Sequence, residues 1–229
     1  YWNKRQGSKQ CSSQTGRDRH LGIKAVINPE RAETANSPLK NMDVTLDPDT
    51  AHPNLILFDH GKQVRYGDIK LELPDNPKRF DYCPCVLAKE GFSSGRFYFE
   101  VQVKGMTDWD LGVASEFINR KGIITAIPEA GYWIVVLRNG NNYLAGESSP
   151  VPLSLRVKPQ VVGVFVDYEE GLVSFYDVES RSHIFSFTSQ SFTEKLFPFF
   201  SPLCIHSCFL VNSGVCDAFL PTFSSVEKC

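Results

Sequence analysis

Two short cysteine-bearing stretches are the first places in this sequence where chemistry could reside. Cys83-Pro84-Cys85 and Cys204-Ile205-His206-Ser207-Cys208 together offer four thiols and an imidazole, the soft donors of a tetrahedral zinc shell. The spacing argues otherwise, because structural zinc sites pair their knuckles with about two to four residues between ligands, and Cys83 and Cys85 lie in strand-like sequence where Cys serves as a small buried hydrophobe. The seven cysteines are odd in number and scattered, which fits a reduced, intracellular setting with no disulfide framework. No metal and no cofactor are expected. A second constellation is Asp167, Glu169 and Glu170, which invites an acid-base reading. Strand alternation puts Asp167 and Glu169 on a common side next to a turn, where solvated acids are the ordinary case. The five histidines (His20, His52, His60, His183, His206) stand in no Gly-x-Ser-x-Gly elbow, phosphate-cradling glycine loop or His-Glu-x-x-His pattern, so no enzyme is expected. Arg120, Lys121 and Arg138 are the cations that could meet a small phosphorylated ligand, a function that needs them clustered.

The elements that would have to position such residues are strands. Val161 to Val178 reads as a β-hairpin: Val161 to Val166 is apolar at nearly every position, as a central strand covered on both faces would be, and Gly171 closes the turn Tyr168-Glu169-Glu170-Gly171. Beyond it Val173 and Phe175 share one face. Phe97, Phe99, Val101 and Val103 alternate with Tyr98, Glu100 and Gln102, and Trp109, Leu111 and Val113 alternate with Asp110, Gly112 and Ala114. Tyr132 to Leu137 is apolar on both faces and runs into Asn139-Gly140, a strong hairpin signal. Further strands are read at Leu55 to Phe58, Val64 to Tyr66, Ile69 to Leu71, Cys85 to Ala88, Tyr143 to Ala145, His183 to Phe187, Cys208 to Val211 and Cys216 to Leu220. Ser191-Phe192-Thr193-Glu194 has capping-box spacing and predicts one helical turn. The count is about a dozen strands with short helical turns only. Trp109, Trp133, Phe99, Phe165 and Phe175 are expected in the core.

Composition agrees with this. Of 229 residues 42% are hydrophobic, with seventeen Phe, sixteen Gly and fourteen Pro, enough for one sizeable core built from short strands and tight turns. A net charge of −2 without a concentrated basic face predicts no nucleic-acid partner. The charge is unevenly spread: residues 1–40 carry eight Lys or Arg against three Asp or Glu, leaving sixteen against twenty-three for the remainder. Residues 1–42 therefore read as a basic, flexible tail or juxtamembrane linker. Tyr1-Trp2 followed by Lys4-Arg5 is read first as a solvated linker; its aromatic-then-cationic order is also that found on the cytoplasmic side of a transmembrane helix, which makes membrane anchorage upstream of residue 1 the alternative.

In order, Leu46-Asp47-Pro48-Asp49-Thr50-Ala51-His52-Pro53, Gly95-Arg96-Phe97-Tyr98-Phe99-Glu100-Val101, Trp109-Asp110-Leu111-Gly112-Val113, Gly131-Tyr132-Trp133, Val162-Gly163-Val164-Phe165-Val166-Asp167-Tyr168-Glu169 and Phe197-Pro198-Phe199-Phe200-Ser201-Pro202 resemble a PRY segment followed by a SPRY domain. Phe99 stands where the family usually has Trp and Val166 where it usually has Leu; both keep a buried apolar residue. The resemblance implies an all-β, bent sandwich of two antiparallel sheets, with PRY over about residues 43–92, SPRY over about 93–220 and a short tail at 221–229. It also implies a non-catalytic module that binds a protein partner, either as the cytoplasmic part of a butyrophilin-like immune-regulatory protein or as the substrate-recruiting end of a tripartite-motif ubiquitin ligase. A sensor of a small phosphorylated ligand is the third alternative. The aromatic-then-basic start and the absence of heptads in residues 1–40 favour the butyrophilin-like setting.

Recognition in sandwiches belongs to loops at the sheet ends. Residues 116–125 carry Phe117, Ile118, Arg120 and Lys121 with no strand alternation to bury them, residues 138–143 surround the Asn139-Gly140 turn, and residues 203–207 follow the Phe-Pro-Phe-Phe run. In tripartite-motif relatives the partner-binding positions fall, by alignment on the motifs above, at Glu116, Val136, Arg138 and near Cys204 and Ile205. The expected partner-binding set is thus Glu116, Phe117, Arg120, Lys121, Val136, Arg138, Asn139, Cys204 and Ile205, gathered at one end of the sandwich. Arg138 is its exposed anchor, and removing it together with Glu116 is expected to leave stability within about 1 kcal/mol.

Overall fold

The computed structural model describes residues 21–23, 38–74 and 76–202. Fourteen strands are present among the described residues: β1 (Leu21–Ile23), β2 (Leu39–Asn41), β3 (Leu55–Phe58), β4 (Gln63–Tyr66), β5 (Val86–Leu87), β6 (Arg96–Gln102), β7 (Trp109–Ser115), β8 (Tyr132–Arg138), β9 (Asn142–Ala145), β10 (Val151–Leu153), β11 (Val161–Asp167), β12 (Leu172–Asp177), β13 (Ser182–Phe187) and β14 (Leu196–Ser201). They form two sheets. One runs β13-β12-β11-β6-β1-β4-β3, with β2 also on β6; the other runs β10-β9-β8-β7-β14-β5. Every pairing of named strands is antiparallel except β2 on β6, which is parallel. The expected all-β sandwich is the observed fold.

The central hairpin is where the sequence places it. β11 pairs with β12 from Val162↔Asp177 to Asp167↔Leu172, and its other edge pairs with β6. Gly171 has φ +61, and a Cβ there would stand 1.8 Å from the Gln190 carbonyl oxygen, so the turn needs glycine for both its backbone and its neighbour. Alternation sets the faces: Val162, Val164 and Val166 point inward with Phe97, Phe99, Val101, Val173 and Phe175, all buried. Opposite them lie Trp109, Leu111, Val113, Trp133, Val135 and Leu137 of the second sheet, which closes the main core. Phe165 has the other parity. It lies half-buried on the outer face, which corrects its expected place in the core.

The second sheet is buried on both sides. Ala114, Tyr132, Ile134, Val136 and Phe199 face outward into a second cluster, covered by Phe80, Cys83, Cys85, Leu87, Ile118, Ile124 and Ala126. This cover explains why Tyr132 to Leu137 is apolar on both faces.

Three local expectations are corrected. Ser191 to Glu194 forms no helical turn, because Phe192 packs edge-on against Trp133 at 4.9 Å and beside Tyr168 at 5.4 Å, and this tertiary contact outweighs the capping pattern. The described short helices are the 3-10 turns Asp59–Gly61 and Pro128–Ala130. Ile69 to Leu71 is irregular chain with Ile69 exposed, too short a run between Gly67 and Pro74 to build a ladder. Within residues 1–42, read as a tail, β1 pairs with β4 and β6 and β2 pairs with β6, so sheet pairing begins upstream of residue 43. The sequence from Leu21 to Ile27 already reads as either a short strand or a turn of helix, stopped by Asn28-Pro29, whereas Leu39–Asn41 carries too little alternation to be read. The strands read at Cys208 to Val211 and Cys216 to Leu220 lie outside the described residues.

Candidate functional site

The hairpin joining β8 to β9 is built as its sequence demands. Asn139 and Gly140 both take positive φ, +52 and +68, which a primed hairpin turn requires. Asn139 N–H donates to Asp108 Oδ1 at 3.1 Å and Gly140 N–H to Thr107 O at 2.7 Å, which ties the turn to the entry of β7. The preceding Arg138 is not a surface anchor. Its Nη1 lies 2.5 Å from Asp110 Oδ1, and it donates to Leu137 O at 2.8 Å and Trp109 O at 3.2 Å. Asp110 is wholly buried, and burial lifts its carboxyl above the usual carboxylate range while the Arg138 charge pulls the other way. With 14% of its side chain exposed, Arg138 serves as counter-charge to a buried acid. The expectation that its removal is nearly silent for stability is corrected, because it would strand that acid. Val136 is also withdrawn from the surface: outward parity carries it into the second cluster at 4% exposure.

Glu116 lies at the opposite end of the sheet. β7 runs from Trp109 beside Leu137 to Ala114 beside Tyr132, and its seven residues span about 20 Å at ~3.3 Å per residue. The nine expected residues therefore do not gather at one end. Arg138 and Asn139 sit at one end of β7 and β8, Glu116 and Phe117 at the other, and Cys204 and Ile205 fall outside the described residues.

Residues 118–124 fold back over the PRY segment. Arg120 Nη2 donates to Glu116 O at 2.8 Å, Asn119 bridges to the backbone of Lys121, Lys121 Nζ donates to Asn76 O at 3.1 Å, and Gly122 N–H donates to Asp81 Oδ1 at 2.8 Å. Ile118 and Ile124 are buried, which corrects the reading of Ile118 as exposed, and burial lowers the Arg120 guanidinium pKa. Phe117 faces outward at 75% exposure and Ile123 at 48%.

Beside Phe117 opens a cavity of about 260 Å³ that the sequence reading missed. Ser115, Ile118, Pro128 to Gly131, Trp133, Ser191 to Glu194 and Leu196 line it together with Phe117. Its aromatic wall is braced: Trp133 Nε1 donates to Gln190 Oε1 at 2.9 Å, Phe192 stands edge-on to Trp133, and Tyr168 OH donates to Glu194 O at 2.9 Å. Gln190 N–H in turn donates to Gly171 O at 2.9 Å, so the turn of the central hairpin backs the wall. The signal that could have found this site is Phe192, a lone aromatic among polar residues from Thr188 to Lys195.

The groups singled out for chemistry hold structural bonds. Asp167 pairs with Arg96 at 2.6 Å and caps the turn through Glu170 N–H, while Glu169 accepts Gly95 N–H through both oxygens. Cys83 and Cys85 are buried in the second cluster. Among the described residues no group of three or more His, Cys, Asp or Glu could hold a metal, and no described helix is long and apolar enough to cross a membrane.

Comparison with known proteins gives the same segments. The SPRY-associated PRY domain matches residues 44–92 and the SPRY domain residues 96–211. The ovary form of nuclear factor 7 from Xenopus laevis is 53% identical over 84% of this chain, and butyrophilin subfamily 1 member A1 from Bos taurus is 46% identical over 78%. The chain spans only 29% and 33% of those two relatives. The crystal structure of the TRIM65 PSpry domain has the same fold, with a TM-score of 0.62 at 23% identity over 72% of this chain and 86% of that one.

Proposed function

Because the chain belongs to the SPRY family, with its associated PRY segment, we propose that it is a non-catalytic recognition module that captures a protein partner at the loop end of the sandwich. The observation that carries this is Phe117: an aromatic ring left 75% exposed on a braced loop, at the lip of a cavity whose wall is held in place before any partner arrives. Exposed aromatics beside preformed pockets are the common anchors of interfaces, because they bury large area at little entropic cost. Glu116 stands next to it. Arg120 and Lys121 contribute from the loop flank, and Asn139 belongs to the other end.

The phosphorylated-ligand alternative finds less support. Arg138 is spent on Asp110, Arg96 on Asp167, Arg79 on the Pro48 and Ala51 carbonyls and Arg120 on Glu116 O, so these guanidinium groups already have partners. For the setting, the order Tyr1-Trp2-Asn3-Lys4-Arg5 favours the cytoplasmic portion of a butyrophilin-like membrane protein over a tripartite-motif ligase. The upstream sequence tests that: an apolar run of about 20 residues supports it, and heptads overturn it.

The recognition reading is tested by Phe117→Ser. Partners retained from cell extract by the parent domain should be lost, by about tenfold or more in captured amount, a difference of about 1.4 kcal/mol in binding. Equal capture by the variant would move recognition elsewhere.

A further inference from the structure

The chemistry of the cavity beside Phe117 narrows what it can hold. At about 260 Å³ it falls below the ~300 Å³ at which sites for drug-sized ligands begin, so it suits one anchoring side chain better than a nucleotide or cofactor. Trp133, Phe192, Leu196 and Ile118 supply apolar surface for such an anchor. The charges around it are of one sign. Glu129 and Glu194 line it, and among the described residues no Lys or Arg does so and no ion pair reaches either carboxylate. Glu129 accepts the Ser148 hydroxyl, at 2.9 Å. Neighbouring Glu147 has its carboxyl pushed up, first by burial and then by the Glu129 charge. Lys195 is adjacent in sequence but outside the lining.

Resting on the recognition reading above, we propose that this cavity takes a single apolar side chain of a partner segment that carries Lys or Arg beside it. The apolar side chain rests against the wall that Phe192 and Trp133 form together, Phe117 covers its flank, and the adjoining cations meet Glu129 and Glu194. An acidic segment would bring like charges together at the rim, which costs affinity directly and sets specificity.

The test uses the whole chain and three short capped peptides: one with Leu flanked by Lys, one with Leu flanked by Glu, and one with Ala flanked by Lys. Binding is followed by fluorescence anisotropy and located by backbone amide shifts. The Lys-Leu-Lys peptide should bind about tenfold or more tighter than either control, weaken with added salt, and shift the amides of Phe117, Gly131 and Phe192. Glu129→Lys with Glu194→Lys should reverse the preference toward the acidic peptide at unchanged thermal midpoint. No binding, equal binding of the acidic peptide, or shifts confined to Asn139 and Gly140 would overturn the proposal. Binding seen only after residues 1–20 are deleted would also overturn it, since the occupant would then be the chain's own basic segment. If Phe117→Ser loses partner capture while the charge reversal keeps it, the recognition reading stands and the basic occupant falls; if both variants keep capture, the recognition reading falls too.

Discussion

The two ends of β7 and β8 carry similar side chains and use them in opposite ways. At the hairpin end an arginine and an acid, Arg138 and Asp110, are turned onto each other and buried, so their charge is spent inside the molecule. At the loop end Glu129 and Glu194 have no ion partner among the described residues, and Phe117 is left outside. Sequence presents both ends as charged loops with apolar neighbours. What separates them is place and burial: Asp110 and Arg138 are outward-facing positions on adjacent strands where both are withdrawn from water, whereas Phe117 lies beyond the last paired residue of β7. A charge that ends up covered must find its partner within the fold, and one that stays uncovered is available to another molecule.

The largest effect expected from this contrast is Arg138→Ala. It leaves Asp110 buried without a counter-charge, and denaturant unfolding should show a loss of about 3–5 kcal/mol. The joint replacement Arg138→Met with Asp110→Leu should recover most of that loss, since both charges then go together. A loss under about 1 kcal/mol for Arg138→Ala would erase the difference between the two ends.

Next in size is Gly171→Ala, which probes how firmly the loop end is backed. The substitution strains a residue at φ +61 and drives Cβ into the Gln190 carbonyl, whose side chain holds the Trp133 indole. A cost of about 1–3 kcal/mol is expected, with the indole N–H resonance of Trp133 displaced. An unmoved indole would separate the central hairpin from the cavity wall.

The hairpin end should also leave a signature in acid. The folded Asp110 pKa is raised, so between the ordinary carboxylate value of about 4 and its own higher value the folded protein holds a proton that the unfolded chain has lost. Its contribution to stability is fully present below the unfolded pKa and is lost as pH rises through that window, with a slope of at most about 1.4 kcal/mol per pH unit. Asp110→Asn should remove this component from the stability-pH curve. A slope retained by Asp110→Asn would show that burial does not govern this carboxyl.

How much of this was legible in sequence follows the same division. The strands came through because alternation is a local pattern: Phe97, Phe99 and Val101 face one way in the chain as in the sheet. The Asn139-Gly140 turn came through because positive φ selects its residues. Arg138 was misread because its partner stands 28 positions earlier, and only the register Asp110↔Val136 brings them together. The cavity was illegible for the same reason. Its walls come from residues 115–118, 128–133 and 191–196, three segments with no shared motif, and one of them, Ser191 to Glu194, carried a helical signal that the packing of Phe192 overrode.

The smallest expected effect is the one that most sharpens the comparison, the change in folding stability on Phe117→Ser. A ring in a core would cost about 3–5 kcal/mol on truncation, through lost burial and the cavity left behind. Phe117 keeps 75% of its surface in water, and what holds its loop is backbone and neighbours: Arg120 Nη2 on Glu116 O, Asn119 across to Lys121, and Ile118 in the second cluster. None of these needs the ring. Removing it should shift the denaturation midpoint by no more than about 0.5 kcal/mol, the range of ordinary surface substitutions, even as partner capture falls. A loss above about 1 kcal/mol would show the ring to be part of the wall, holding Phe192 and Trp133 in place, and the loop end would then resemble the hairpin end in spending its side chains on the fold.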